Sequence, residues 1–311
     1  MTQATLISPV EIAYLVTWVC FIVGLRYLSS PKTARIGNRI SMAGMVIAIA
    51  ATLTQGISGW WIVAVGLVVS ASIGIYSARI VKMTAMPQMV ALFNGSGGGA
   101  AALVATADIL RILRDSPGGT VSPADAIPIV LSSAIGAISF AGSIIAFLKL
   151  QGIMTGRPIQ FPGQQIVNGI VALVVIAGSV AVIGAFGDVE TSFFVALAAA
   201  VVLGVLFVLP IGGADMPVVI SLLNAFTGLA AAMTGFVLSN NVLIVSGALV
   251  GASGTLLTLL MGKAMNRSLA NVLFSGFGAI KAGAEGPAAG VTGGHVRSGT
   301  ADDIGVMLAY A

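Results

Sequence analysis

Two Met-Pro pairs are each followed by an asparagine at the same distance. The pair at 216–217 precedes Asn224, and the pair at 86–87 precedes Asn94. In a helix each amide would lie about 10 Å past its proline, at roughly 1.5 Å per residue. An unpaired amide is unfavourable in an apolar surrounding, so both side chains need a hydrogen-bond partner or water. Because an amide does not titrate near neutral pH, a proton path through Asn94 and Asn224 requires a water chain or an ionisable group from a partner.

The segments around the two amides resemble each other. Aligned without gaps, residues 86–102 and 216–232 agree at Met, Pro, Leu, Asn, Gly and three Ala. Either the match is chance in a chain rich in Ala and Gly, or two equivalent helices hold two amides at one depth, as internal repeats do in membrane transport proteins. Two roles remain open for Asn94 and Asn224. They are hydrogen-bond partners between helices, or water-holding members of a polar path.

Asp215 stands immediately before the second Met-Pro pair and is the only acidic residue between Glu190 and Glu285. Pro217 suits the first turn of a helix, so Asp215 is well placed to cap that turn. The alternative is a proton-uptake group or a contact for a docked domain. The preceding pair of glycines, 212–213, would let such a domain approach the backbone closely.

The elements that position these residues are membrane helices. The chain has 311 residues, of which 58% are hydrophobic and 8% charged, and its mean hydropathy is +1.07. A soluble domain carries roughly 25% charged residues, so the composition predicts an all-α polytopic membrane protein. About nine segments approach the roughly 20 residues that a bilayer requires. The predicted spans are 8–28, 36–56, 59–80, 87–110, 125–149, 164–186, 190–210, 215–237 and 241–263.

The basic residues predict the orientation of these spans. All but two of the fourteen Lys and Arg residues follow spans one, three, five and nine; the exceptions are Arg111 and Arg114. Because positive charge favours the cytoplasmic side, we expect the N-terminus outside and the C-terminus in the cytoplasm. Spans four and eight then both run from inside to outside, and Asp215 faces the cytoplasm.

We expect residues 1–275 to form the membrane domain and residues 276–311 to form a cytoplasmic linker. The linker segment is rich in Gly, with Ala, Pro and Thr, which is typical of a flexible connection to a further domain. His295, the only histidine, falls in it, and we interpret it as a solvated residue.

Several kinds of site are not expected. The GxGxxA run at 95–100 has the form of a dinucleotide fingerprint, but it lies inside a predicted span rather than after a strand, so we interpret it as a packing or flexible point. Cys20 is the single cysteine and lies in an apolar span. No histidine lies in a span and no acid lies deep in one, so we predict no metal site. The basic residues are in short loops, so we predict no nucleic-acid partner.

Span nine and its end carry two further patterns. Gly247, Gly251 and Gly254 are spaced so that a neighbouring helix can pack closely, and we predict that packing is their role. Lys263–Ser268 ends the span at the cytoplasmic face. Either it is a positive anchor, or Arg267 and Ser268 bind an acidic or phosphate group on a soluble domain.

Four motifs in order resemble the beta subunit of the proton-translocating nicotinamide nucleotide transhydrogenases. They are IGGADMPVV from position 211, LSN from 238, GALVG from 247 and KAMNRS from 263. The resemblance implies hydride transfer between NADH and NADP⁺ coupled to proton passage across a bacterial inner membrane. It implies an NADP(H)-binding domain beyond this segment, an alpha subunit with the NAD(H) domain and further helices, and a dimer of such units. It places no nucleotide site within 1–311.

By position, the resemblance gives Asn224 and Asp215 roles in the proton path and in coupling to the NADP(H) domain, and it gives Arg267 and Ser268 a contact with that domain. Asn94 departs from the family pattern, because many relatives have His there. Either the ionisable group is elsewhere, for example on an alpha-subunit helix, or the path is built differently. A secondary transporter for a small solute, with spans four and eight as paired gates, is the alternative function; a purely structural membrane scaffold is a third.

Overall fold

Helices make up all the regular structure in the part of the chain that the computed structural model describes, residues 8–56, 59–115 and 121–265. Nine of these helices are long and apolar enough to cross a membrane. This confirms the all-α, multi-span prediction. Arg267, Ser268, His295 and the predicted linker lie outside the described residues. The helices are α1 (Pro9–Leu28), α2 (Ala34–Leu53), α3 (Trp60–Ile80), α4 (Met86–Asp115), α5 (Pro123–Leu150), α6 (Gln164–Ile183), α7 (Val189–Val208), α8 (Met216–Val237) and α9 (Asn241–Ala264).

Local capping sets several of the helix starts. Ser8 and Glu11 form a capping box at α1, and the Asn240 side chain accepts a hydrogen bond from Leu243 N, 3.0 Å away, at α9. Asp188 caps α7 by accepting hydrogen bonds from the Thr191 hydroxyl and amide. These two bonds, the hydroxyl first, hold the pKa of Asp188 below its usual value. Polar residues at predicted loop positions therefore begin the spans.

One helix is longer than predicted. We placed the end of span four at residue 110, but α4 continues to Asp115. The predicted length came from the thickness of the hydrocarbon layer, whereas the helix continues for more than a turn through a mixed segment that contains Arg111, Arg114 and Asp115. The extension matters because it places Asp108 about two turns inside the helix end.

Helix α5 is the centre of the bundle. It contacts α4, α7 and α8, while α9 packs on α8, α6 on α7 and α1 on α2. The largest apolar cluster joins the end of α5 to the end of α7 and the first half of α8; its buried members include Ile145, Phe207, Ile211, Met216 and Leu223. By contrast, α3 has no buried residue. The contacts that position Asn94 and Asn224 therefore come from α4, α5 and α8.

Two four-helix repeats, α2–α5 and α6–α9, extend the similarity seen in the sequence. A distance of 130 positions separates Ala34 from Gln164 at the starts of α2 and α6, and Met86 from Met216 at the starts of α4 and α8. A short 3-10 turn precedes each Met-Pro pair, at Met83–Ala85 and Gly213–Asp215, with the same separation. Four helices per repeat place α4 and α8 in the same direction.

The helix after each amide helix also packs in the same way. A Cβ added to Gly136 on α5 would lie 2.6 Å from Gly98 O and 3.1 Å from Ala102 N. A Cβ added to Gly247 on α9 would lie 2.7 Å from Gly228 O and 2.4 Å from Ala232 N. The two contacted pairs on α4 and α8 are again 130 positions apart. Such contacts leave no room for a Cβ, so α4–α5 and α8–α9 are equivalent, closely packed hairpins.

Candidate functional site

Asn94 is at the centre of a hydrogen-bonded group that joins three helices. Its Nδ2 lies 2.9 Å from Ser143 Oγ and 3.3 Å from Ser139 Oγ, both on α5. Ser139 Oγ donates to Leu223 O at 2.8 Å and lies 2.6 Å from Thr227 Oγ1, both on α8. We refer to Asn94, Ser139, Ser143 and Thr227 as the Asn94 cluster. Because Ser139 bonds both Asn94 and the residue before Asn224, the two amides lie at one level of the bundle.

The two amides differ in their partners. Asn94 is 8% exposed, and its Oδ1 is buried without a hydrogen-bond partner in the described part of the chain. Asn224 is half-buried, and among the described residues no group hydrogen-bonds its side chain. Buried polar atoms nearly always have a partner, which is commonly water. Asn94 Oδ1 can therefore accept a hydrogen bond from a buried water, and the half-buried Asn224 amide can bond water or a group of another subunit.

A second polar contact lies further along the same helices. Ser132 Oγ on α5 is 2.7 Å from Thr234 Oγ1 on α8 and 3.3 Å from Ala101 O on α4. Between this Ser132–Thr234 pair and the Asn94 cluster, α4 and α5 meet at Gly98 and Gly136, where backbone approaches backbone. The three-helix contact therefore has two polar levels separated by a tight apolar one.

Asp108 corrects our expectation that no acid lies deep in a span. It is 9% exposed and 2.5 Å from Arg111 Nη2, whose side chain is 69% exposed. Fourteen residues separate it from Asn94, close to four helical turns, so the two share the inner face of α4. That spacing was visible in the sequence, but the burial of Asp108 was not.

Asp215 occupies the capping position of α8 without capping it. Its side chain makes no cap hydrogen bond, and its backbone is already helical, with φ −90° and ψ −5°. A capping residue usually has extended backbone and accepts from the second or third amide of the helix. Here the second helical residue is Pro217, which has no N–H. The half-buried Asp215 carboxylate is therefore not explained by capping α8.

Lys149 is the residue of this region that the sequence analysis did not single out. It is 4% exposed at the end of α5, and its Nζ donates to Leu209 O at 2.5 Å and Ile211 O at 2.8 Å. These carbonyls follow α7 and directly precede the turn that carries Asp215. We had counted Lys149 only as a loop cation that sets orientation.

The arrangement can orient water or a proton donor but has no titratable group in the Asn94 cluster. Amides and hydroxyls relay hydrogen bonds without changing charge near neutral pH. In the described part of the chain no three His, Cys, Asp or Glu side chains could hold a metal ion together. A sequence signal for the polar face of α5 was missed. This face is marked by a 4-3-4 spacing of small residues, which are Ser132, Gly136, Ser139 and Ser143.

A model of the NAD(P) transhydrogenase beta subunit family matches residues 10–311. The chain belongs to this family. It is 42% identical, over 303 residues and 96% of its length, to the NAD(P) transhydrogenase subunit beta of Rhodospirillum rubrum, and it has the same identity and coverage with the protein of that name from strain ATCC 11170 of this species. The chain spans 64% of the length of these curated relatives. Family membership confirms the resemblance that the four motifs predicted, and it was within reach of the sequence alone.

Proposed function

We propose that this chain is the membrane part of a transhydrogenase that couples hydride transfer between NADH and NADP⁺ to proton movement. The observation that carries the proposal is the four-helix repeat that holds Asn94 and Asn224 at one level, within a member of the transhydrogenase beta-subunit family. Hydride transfer takes place on nucleotide domains outside this segment, which itself binds neither NAD(H) nor NADP(H). The family match favours this function over the solute transporter.

The proposed orientation follows from the basic residues. The N-terminus is outside, the end of the bundle that carries Met86 and Met216 is cytoplasmic, and the membrane is a bacterial plasma membrane. Residues 1–275 are the membrane domain, and 276–311 connect it to an NADP(H)-binding domain. Asp215, together with Arg267 and Ser268, contacts that domain on the cytoplasmic side.

Coupling is conformational in this proposal. When the redox state of NADP changes, the docked domain shifts its contact at Asp215, and α8 changes the access of water to Asn224. The half-buried Asn224 side chain, which no described residue hydrogen-bonds, supports this role, because it can bind water without breaking a hydrogen bond to those residues. The ionisable group that carries the proton is supplied by an alpha-subunit helix. The half-buried Asn224 side chain, which no described residue hydrogen-bonds, is a suitable acceptor for a donor on that helix.

The complete enzyme contains an alpha subunit with the NAD(H) domain and is a dimer of alpha–beta units. The proposal is tested with the native-length protein and its partner in sealed vesicles. NADPH and an oxidised NAD analogue are added, and analogue reduction and a pH-sensitive dye are followed together. We expect both signals, with analogue reduction accelerated by an uncoupler. Hydride transfer without a pH change, or neither signal from folded and partnered protein, would contradict the proposal.

A further inference from the structure

Lys149 reaches from the end of α5 to the chain that follows α7. Its Nζ donates to Leu209 O and Ile211 O and lies 3.4 Å from Val208 O. An ammonium group has three N–H donors, and three carbonyls surround this one. The carbonyls at the end of a helix have no partner within the helix and carry partial negative charge, which a cation stabilises.

No carboxylate forms an ion pair with Lys149 in the described part of the chain. The side chain is nonetheless buried, and its chain neighbours Leu148 and Leu150 pack against the apolar cluster that includes Ile211 and Met216. An ordinary positive anchor extends its ammonium into water or headgroups, as long cationic side chains do at membrane surfaces. Lys149 instead directs its ammonium at the backbone carbonyls of one segment, residues 208–211.

The loop that follows α5 also hydrogen-bonds the segment that Lys149 contacts. Gly213 N donates to Gly156 O at 2.8 Å, and Ile159 N donates to Leu209 O at 3.1 Å. Both bonds are made by residues within ten positions of Lys149. The end of α5 and its loop therefore hold residues 209–213 from one side, and the Asp215 turn begins where these contacts end.

The repeat shows that this contact is specific to one half of the chain. Gly136 of α5 corresponds to Gly247 of α9, so the position of Lys149 corresponds to Leu260. The second repeat thus has an exposed apolar residue where the first has a buried cation. A buried cation at this position is present on the α4–α5 hairpin, which contacts the Asp215 segment, and is absent from the corresponding position of the α8–α9 hairpin. It is therefore not a general feature of the fold.

We infer that Lys149 is a positioning residue that fixes the segment 209–215 and thereby sets where Asp215 meets the nucleotide domain. The inference rests on the proposed function for its consequence in coupling, but the position of the segment is measurable without any activity. Loss of the ammonium leaves Ile211 O without its buried donor and Leu209 O with only the bond from Ile159 N, so the segment should become mobile.

The test uses the native-length protein with its alpha subunit in vesicles. A nitroxide label is placed at the exposed position 214 by Ala214→Cys, after Cys20→Ser and replacement of any other cysteine. Lys149→Met should increase the mobile component of the label spectrum, whereas Lys149→Arg, which keeps the charge and the donors, should restore the ordered spectrum. Arg157→Met is the matched control, because Arg157 is an exposed cation on the loop that follows α5. It should leave the label spectrum unchanged.

Activity supplies the second measurement. Lys149→Met should raise the KM for NADP(H) about fivefold or more, the usual lower range of an allosteric coupling, with the KM for the NAD analogue unchanged. An unchanged label spectrum in Lys149→Met, or equal effects on both KM values, would overturn the inference. If Lys149→Met does not accumulate in the membrane, Lys149→Leu, which also lacks any N–H donor, is measured in its place with the same expectations. Absence of hydride transfer in the unmutated protein would contradict the proposed function, while the label spectra would still decide the role of Lys149.

Discussion

Asn94 Nδ2 donates to Ser143 Oγ at 2.9 Å, whereas no described residue hydrogen-bonds the side chain of its counterpart Asn224. A Cβ on Gly95, next to Asn94, would be 3.1 Å from Ser143 Cβ, and a Cβ on Gly254 would be 3.1 Å from Ala225, next to Asn224. Gly254 therefore takes the place of Ser143 in the second repeat. One amide is fixed by its neighbour, and the other is left able to bind water.

This difference predicts unequal effects of substituting the two amides on the free energy of unfolding. Asn94→Ala removes the only hydrogen bond that the fully buried Ser143 Oγ makes within the described part of the chain, so the free energy of unfolding should fall by about 1–2 kcal/mol. Asn224→Ala removes no hydrogen bond made by the described residues and should change it by no more than about 0.5 kcal/mol. Unfolding of the purified protein by a denaturing detergent in mixed micelles measures both. Equal effects would contradict the assignment of one fixed and one open amide.

The equivalent hairpins predict equivalent sensitivity to a single methyl group. Gly136→Ala and Gly247→Ala each place a Cβ within 2.7 Å of backbone atoms on the facing helix, so each should lower the free energy of unfolding by about 1–3 kcal/mol. The control is Gly74→Ala on α3, where no atom lies within 4 Å of the added Cβ. It should be neutral or stabilising by up to about 1 kcal/mol, since Ala favours a helix over Gly. A tolerated alanine at Gly136 or Gly247 would show that the helices are further apart than described.

Asp108 and Arg111 should be coupled in stability. Arg111→Met leaves a buried carboxylate without its ion-pair partner, while Asp108→Asn removes the charge that needs one. Because Arg111 is largely exposed, solvent screens the pair, and we expect a coupling of about 1 kcal/mol or less between the two changes. A double-mutant cycle of unfolding free energies measures it. Additive effects of the two substitutions would show that the pair does not stabilise the fold.

The sequence predicted the elements better than the contacts between them. The nine spans and the correspondence of Asn94 with Asn224 were evident, because hydropathy and the Met-Pro spacing are local signals. The partners of Asn94 were not, because Ser139 and Ser143 are more than forty residues away and meet it only once α4 and α5 pack. Lys149 was misinterpreted for the same reason. Its charge agrees with an orientation rule, and only the meeting of α5 with the end of α7 shows that it bonds carbonyls.

The measurement that most directly tests the central claim is proton-coupled hydride transfer by Asn224→Leu in the native-length protein with its partner in vesicles. Ser179→Leu is the matched control, since Ser179 is half-buried on α6 and bonds only a carbonyl of its own helix. We predict that Asn224→Leu lowers the coupled rate at least about tenfold while NADP(H) binding is kept, because water loses its site at this level of the bundle. The control should keep the coupled rate. A coupled rate for Asn224→Leu equal to that of the control would contradict the account.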